Sequence, residues 1–176
     1  MIEINTGNLP CCAFVSDVID HVMVKEKMLK YLSIKPVYGF TGIKVKLFNT
    51  DYFVKNFVGI DNKYYDFINP VVERHNKSLS RYLQYGEDIV SSLMWYQQYQ
   101  KGDHHTWHRH QDSIFTNIYY IELPDGTSHT TLRFLGKEFQ IEVKEGQILT
   151  FPSFFEHCSK PNLSEHVKTV IGFNSS

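Results

Sequence analysis

The segment Gly102–His110 reads GDHHTWHRH and places four of the chain's nine histidines, His104, His105, His108 and His110, within seven residues. Neutral imidazole is the commonest side-chain ligand of transition metals. In an extended segment side chains return to the same face every second residue, so His108 and His110 form a ready pair of ligands. A third must come from elsewhere, and His157, in FPSFFEHCSKPN, lies 47 residues beyond His110. That gap accommodates about four short strands, enough to bring the chain back beside the pair. Three protein ligands leave positions open on a six-coordinate metal, which is what oxygen and a chelating co-substrate require. A second register, His110-Gln111-Asp112, supplies a histidine and a carboxylate at the same spacing. Asp112 is therefore an alternative ligand, or a group that orients an imidazole from behind.

Other residues carry less. Lys168 interrupts the apolar stretch VKTVIGF, and Arg133 interrupts an apolar strand in the same way. Tyr96, Tyr99 and Tyr119 are candidates to face an interior site, against the plainer reading that they pack a core. His104 and His105 are candidates for the site's mouth. His129 and His166 sit in polar, turn-like stretches and read as surface. The three cysteines, Cys11, Cys12 and Cys158, are odd in number, and two are adjacent. Adjacency is too close for the usual zinc spacing, and no disulfide framework follows.

The elements that must position these groups change character along the chain. Ser16 is a candidate N-cap, followed by Val18, Ile19, Val22, Met23, Leu29 and Leu32 at helical spacing. Gly39–Asn49 alternates well enough for one strand. Asn69-Pro70 signals a second helix, with Pro at its first position. It would carry Val72, His75, Leu79 and Tyr82 or Leu83 inward and stop near Gly86, with His75 an ordinary helix residue. After Gly86 short strands dominate: Met94–Gln100, Ile114–Leu123, Thr130–Leu135, Glu138–Val143, Gln147–Phe151 and Val167–Phe173. Pro124-Asp125-Gly126, Gly136-Lys137 and Glu145-Gly146 punctuate them as turns. Close, regular spacing of short strands points to an antiparallel sandwich or barrel.

The class is mainly β with N-terminal helices. Its 176 residues suit a single domain, about 1–90 helical support and first strands, about 91–176 the β core with the metal site. Hydrophobic residues at 42% and aromatics at 15% supply a core suited to pleated surfaces. Lys+Arg at 18 against Asp+Glu at 19 argues against a nucleic-acid partner, as does the lack of an arginine-aromatic strand pattern. No apolar run is long enough to cross a bilayer, and Met1–Pro10 lacks the features of a signal peptide. A cytoplasmic protein is the expectation.

Four stretches resemble the iron(II)- and 2-oxoglutarate-dependent oxygenases, in particular small phage and bacterial members of the prolyl-hydroxylase-like branch. They are YQKGDHHTWHRH at 99–110, FTNIYYIELP at 115–124, EGQILTFPSFFEHCSKPN at 145–162 and KTVIGFN at 168–174. The resemblance implies a double-stranded β-helix, or jelly-roll, barrel with helices packed on one sheet. It implies Fe(II) held by His108, His110 and His157, and Lys168 gripping the far carboxylate of 2-oxoglutarate. Tyr99 and Tyr119 are then candidate partners of that co-substrate, and Tyr96, His105 and Arg133 candidate walls of a substrate pocket. The implied reaction consumes O2, decarboxylates 2-oxoglutarate and oxidises a protein side chain or small molecule, most often by hydroxylation. Two positions depart from the family pattern. His110 stands where a carboxylate is usual, and Val170 where a hydroxyl is expected two residues past the basic group. Lysine in place of arginine also replaces a bidentate fork by a point charge.

Two other readings stay open. Gly102 followed by His108-x-His110, and Gly146 followed by Pro152 and His157, resemble the two halves of the cupin pattern, without its glutamate and with Phe154 where glycine is usual. A three-histidine cupin would need no 2-oxoglutarate. The third reading is a non-catalytic, ligand-binding barrel.

Overall fold

The computed structural model describes residues 2–5, 10–34, 39–42, 45–53 and 63–176, with the side chains of 2–5, 10, 11, 39–42, 45 and 46 outside that description. The cysteine pair is thereby described only at Cys12, a half-buried free thiol. Among the described residues, no helix is long and apolar enough to cross a membrane.

In chain order the elements are β1 (Ile2–Asn5), β2 (Pro10–Asp17), α1 (His21–Ile34), β3 (Gly39–Gly42), β4 (Val45–Thr50), α2 (Tyr65–Leu83) and β5 (Ser91–Tyr99). They continue with β6 (His105–His108), β7 (Phe115–Glu122), β8 (Thr130–Phe134), β9 (Lys137–Gln140), β10 (Gln147–Pro152), β11 (Glu156–Ser159) and β12 (Lys168–Ser175). The fold is mainly β. An eight-stranded sheet runs β1-β2-β10-β7-β12-β5-β4-β3, and a four-stranded sheet runs β6-β11-β8-β9. Every pairing among the described residues is antiparallel.

Period-two alternation divides the large sheet into two faces. Met94, Tyr96, Tyr119, Ile121, Ile148, Ile171 and Phe173 join one buried cluster with Val24 and Met28 of α1 and Ile68, Val71 and Val72 of α2. The opposite face contributes Tyr99, Tyr120, Leu149, Phe151 and Val170 to a second cluster with Leu132 of β8 and Phe155. The candidate site lies on this second side.

The strands after Gly86 stand close to their expected places, but the first half differs in three respects. Ser16 belongs to β2 and caps nothing; α1 begins at His21. Its expected stripe holds only in part: Val18 and Leu32 join the core, but Ile19 is 98% and Val22 71% exposed, and Val24 and Met28 are buried in their place. The Gly39–Asn49 stretch is two strands, β3 and β4, paired as a hairpin with residues 43 and 44 outside the described set. Pro70 stands inside α2, which starts at Tyr65. Lacking an N–H, it forfeits the ladder bond that position 70 would make to Asp66 O, a cost the helix carries because Pro70 lies beyond the N–H groups left free at its start. The helix ends at Leu83 because Gln84 turns left-handed at φ 52°, and its N–H caps Arg81 O; Gly86 lies beyond.

His75 is buried at the centre of a polar network. Its Nδ1 meets Ser16 Oγ at 2.9 Å and its Nε2 meets Thr150 Oγ1 at 2.8 Å. Burial pushes its pKa down to about 4, opposed by a weaker bond to Asn117. The unfolded chain therefore takes up a proton here before the folded one. Stability is full above about pH 6.5 and is lost as pH falls toward 4, at up to about 1.4 kcal/mol per pH unit. Urea midpoints of metal-free protein across that window should fall with pH, and His75→Gln should flatten the slope by about one proton. An unchanged slope in the variant would refute the assignment.

Candidate metal centre

A tight turn sets the histidine strand. Gly102, at φ +84°, lets β5 reverse into β6. Buried Asp103 holds the turn by accepting the Gln100 N–H at 2.9 Å, and Asn162 clamps it from outside through Gly102 N–H and Asp103 O. β6 then pairs with β11 so that His108 lies opposite His157 and His105 opposite Ser159. Three residues of β6 span the distance that two cover on β11. That bulge re-aims one side chain, which is how His105 and His108, three apart, come to stack at 3.8 Å between ring centroids.

His108, His110 and His157 bring one nitrogen each to within 4.8 Å of one another. His108 and His157 lie 4.0 Å apart by centroid, and His110 stacks on His157 at 5.3 Å. Asp112 is exposed and outside this group, so the His110–Asp112 register is not the one assembled.

The donors fit a metal ion. His108 Nδ1–H donates to Thr106 O at 2.8 Å, which fixes the tautomer and leaves Nε2 as a lone pair. His110 Nε2 and His157 Nδ1 are buried without hydrogen-bond partners. Asn174, also buried, has its amide 3.3 Å from His110 Nδ1 and an unpartnered Oδ1. A half-turn of that amide puts Oδ1 on Nδ1–H and directs the His110 Nε2 lone pair into the site. Burial lowers the pKa of every imidazole here, and neighbouring histidines lower it further at all but His108: His105 falls to about 3, His110 to about 4, His108 below its ordinary value, and His157 well below it. All four are neutral at pH 7, the state that binds metal.

Inward from the triad lies a small recess lined by Gln97, Tyr99, Ser159, Lys168 and Val170, with a cavity of about 30 Å³. Lys168 is 1% exposed. Its Nζ donates to Ser128 O at 2.7 Å and to Ser159 Oγ at 3.1 Å, and lies 5.2 Å from the Tyr99 ring. Among the described residues it has no carboxylate partner, and burial pushes its pKa down to about 7. Ser159 stands two residues along β11 from His157, so the ammonium lies roughly 7 Å along the strand from the triad.

Three other candidates, Tyr96, Tyr119 and Arg133, sit elsewhere. Tyr96 and Tyr99 are an odd number of residues apart, so one strand cannot aim both at the site. Tyr99 lines the recess, whereas Tyr96 packs among the helices. Tyr119 faces the helices too, its hydroxyl bonded to His21 Nδ1 at 2.9 Å. Arg133 pairs with Glu156 at 2.9 Å and covers Trp107 at 4.2 Å, away from the recess. His105 does line it.

The sequence reading missed Trp95, Gln97, Ser159 and Asn174, although period two counted back from Tyr99 finds the first two. Trp95 stacks on His110 at 5.5 Å, against Gly172 across the ladder. A Cβ at Gly172 would lie 2.6 Å from the indole. Gly172→Ala should therefore displace Trp95 and cost about 1–3 kcal/mol. A lowered urea midpoint with shifted tryptophan emission would show it; an unchanged midpoint would mean that the ring has room to move.

No family model matches the chain, and no curated protein does. Solved structures match well. An oxidoreductase of the 2OG-Fe(II) oxygenase family from Burkholderia pseudomallei superposes with TM-score 0.74 at 9% identity, over 93% of this chain and 85% of its own. A Pseudomonas putida prolyl-4-hydroxylase gives 0.62 at 12% identity, over 94% of each chain. The epimerase SnoN, in complex with Fe3+, alpha ketoglutarate and nogalamycin RO, gives 0.67 at 9% identity, over 94% of this chain and 78% of its own. The chain has the fold of the 2-oxoglutarate- and iron-dependent oxygenases, prolyl hydroxylases among them.

Proposed function

We propose that the chain is an Fe(II)- and 2-oxoglutarate-dependent dioxygenase, a hydroxylase in the first instance. In this reading residues 1–176 are one domain, and the two sheets form the double-stranded β-helix barrel with both helices supporting the larger sheet. His108, His110 and His157 hold the iron, and Lys168 receives the far carboxylate of 2-oxoglutarate. The observation that carries the reading is Lys168. A buried ammonium without a counter-ion costs stability, and it lines the same recess as the triad, at a distance the co-substrate spans.

Iron with 2-oxoglutarate supplies oxygen activation and the oxidising power, at the expense of the keto acid. The chain's own residues do the rest. Asn174 and Thr106 set the tautomers of His110 and His108. Ser159 and Ser128 aim the Lys168 ammonium. Tyr99 and Val170 wall the recess with groups of low dielectric, which strengthens the ion pair. Three neutral ligands leave the metal a full unit more positive than two histidines and a carboxylate, and so favour the chelating dianion.

One observation favours a second reading. The inner cavity, at about 30 Å³, holds about one or two waters, so a dicarboxylate must displace side chains to enter. A three-histidine metalloenzyme without 2-oxoglutarate needs no such displacement. Anaerobic titration of the Fe(II)-loaded protein with 2-oxoglutarate separates them. A visible charge-transfer band that saturates supports the first reading. Iron uptake without the band supports the second, and no uptake leaves a binding module.

A further inference from the structure

A second recess meets the triad from the outer side. It encloses about 180 Å³ between Phe48, Tyr52, Phe53 and Trp95, reaches His108 and His110, and has Arg109 among its lining residues. The walls are aromatic and set at right angles: Tyr52 meets Phe53 at 4.9 Å and Trp95 at 5.2 Å, both at 77°. Tyr52 and Phe53 stay 39% and 50% exposed, large apolar surface left at a cavity mouth. Among the described residues, no acidic side chain lines the recess. Arg109 is exposed, and among the described residues its guanidinium has neither hydrogen bond nor ion pair; its charge acts on nearby Glu156, whose carboxylate Arg133 holds.

We propose that this recess binds the substrate as a single ring bearing an acidic substituent, the ring between the aromatic walls and the anion on Arg109. Size sets the first half: an apolar cavity of about 150 Å³ accommodates benzene, so this one takes one ring with a short arm. Wall geometry gives such a ring both faces and edges to pack on. Charge sets the second half. Aromatic walls alone would also suit a cation, but the arginine repels one and offers a carboxylate paired donors. The inference rests on the proposed metal centre for the ring's fate, not for its binding.

Metal-free protein is therefore titrated with phenylacetate, phenylacetamide and phenethylamine, read by calorimetry. Phenylacetate should bind in the millimolar range or tighter, and the neutral and cationic analogues about tenfold or more weakly. Arg109→Gln should weaken phenylacetate about tenfold and erase the preference over the amide, and Phe53→Ala should weaken both. Both positions are exposed, so the variants should fold. With cobalt(II) loaded, ring-proton signals of phenylacetate should broaden. Absence of binding, equal binding of the three probes, indifference to both substitutions, or bound cobalt without broadening would each overturn the proposal. Ring binding without any metal uptake would instead overturn the metal reading and leave this one standing.

Discussion

His157→Ala should lower metal affinity by roughly two to three orders of magnitude. Complete four-ligand sites bind zinc with about 10–16 kcal/mol, near 3 kcal/mol or more for each ligand. His157 is the ligand whose loss is least compensated. It stands on β11 directly opposite His108, stacks with His110, and has a buried nitrogen with no other partner. Water cannot readily replace it at a position 5% exposed. Calorimetric titration with cobalt(II) or iron(II) under anaerobic conditions checks the result. Folding should survive, because removing a desolvated imidazole partly offsets the cavity it leaves. Full-strength uptake by the variant would dismiss His157 as a ligand. Asp112→Ala, exposed and apart from the triad, should bind metal as the parent does; loss there would restore the alternative register.

What the sequence made legible follows from distance along the chain and from parity. His108 and His110 share a face because they are two apart. His157 was reachable because the strands between them are short and regular. His105 was legible only as a residue of the site's mouth, since three residues separate it from His108 and only the bulge opposite β11 stacks the two rings. Residue type misled where parity does not: Tyr96 and Tyr119 were grouped with Tyr99 as tyrosines, and the pleat sends both toward the helices. In the first half the exposed Ile19, Val22 and Met23 imitate a helical stripe, while α1 touches the sheet through Val24 and Met28. The β2–β10 pairing joins Asp17 to Gln147 and leaves no local trace in either strand. The outer aromatic recess combines β4, β5 and the segment after β6, so it exists only in the folded chain.

Lys168→Met should stabilise the protein and abolish 2-oxoglutarate binding together. The ammonium is fully buried and, among the described residues, without a carboxylate partner, and its folded pKa of about 7 lies far below the ordinary 10.5. The folded state therefore releases this proton before the unfolded state does. Below pH 7 the desolvation cost is carried in full; it is relieved as pH rises from 7 toward 10.5. Methionine fills similar volume with no charge, though it leaves Ser128 O without its donor. A net gain of about 1–3 kcal/mol at pH 6 is expected, shrinking toward zero or below by pH 10 as the parent discharges its lysine. Iron(II) uptake should be unchanged, because Lys168 touches no ligand of the triad. The charge-transfer band should be absent at 2-oxoglutarate concentrations that saturate the parent. A merely structural lysine predicts a different pair of results, lost stability and an unaltered band. Only a residue kept for an anion is both costly to the empty protein and indispensable to the loaded one.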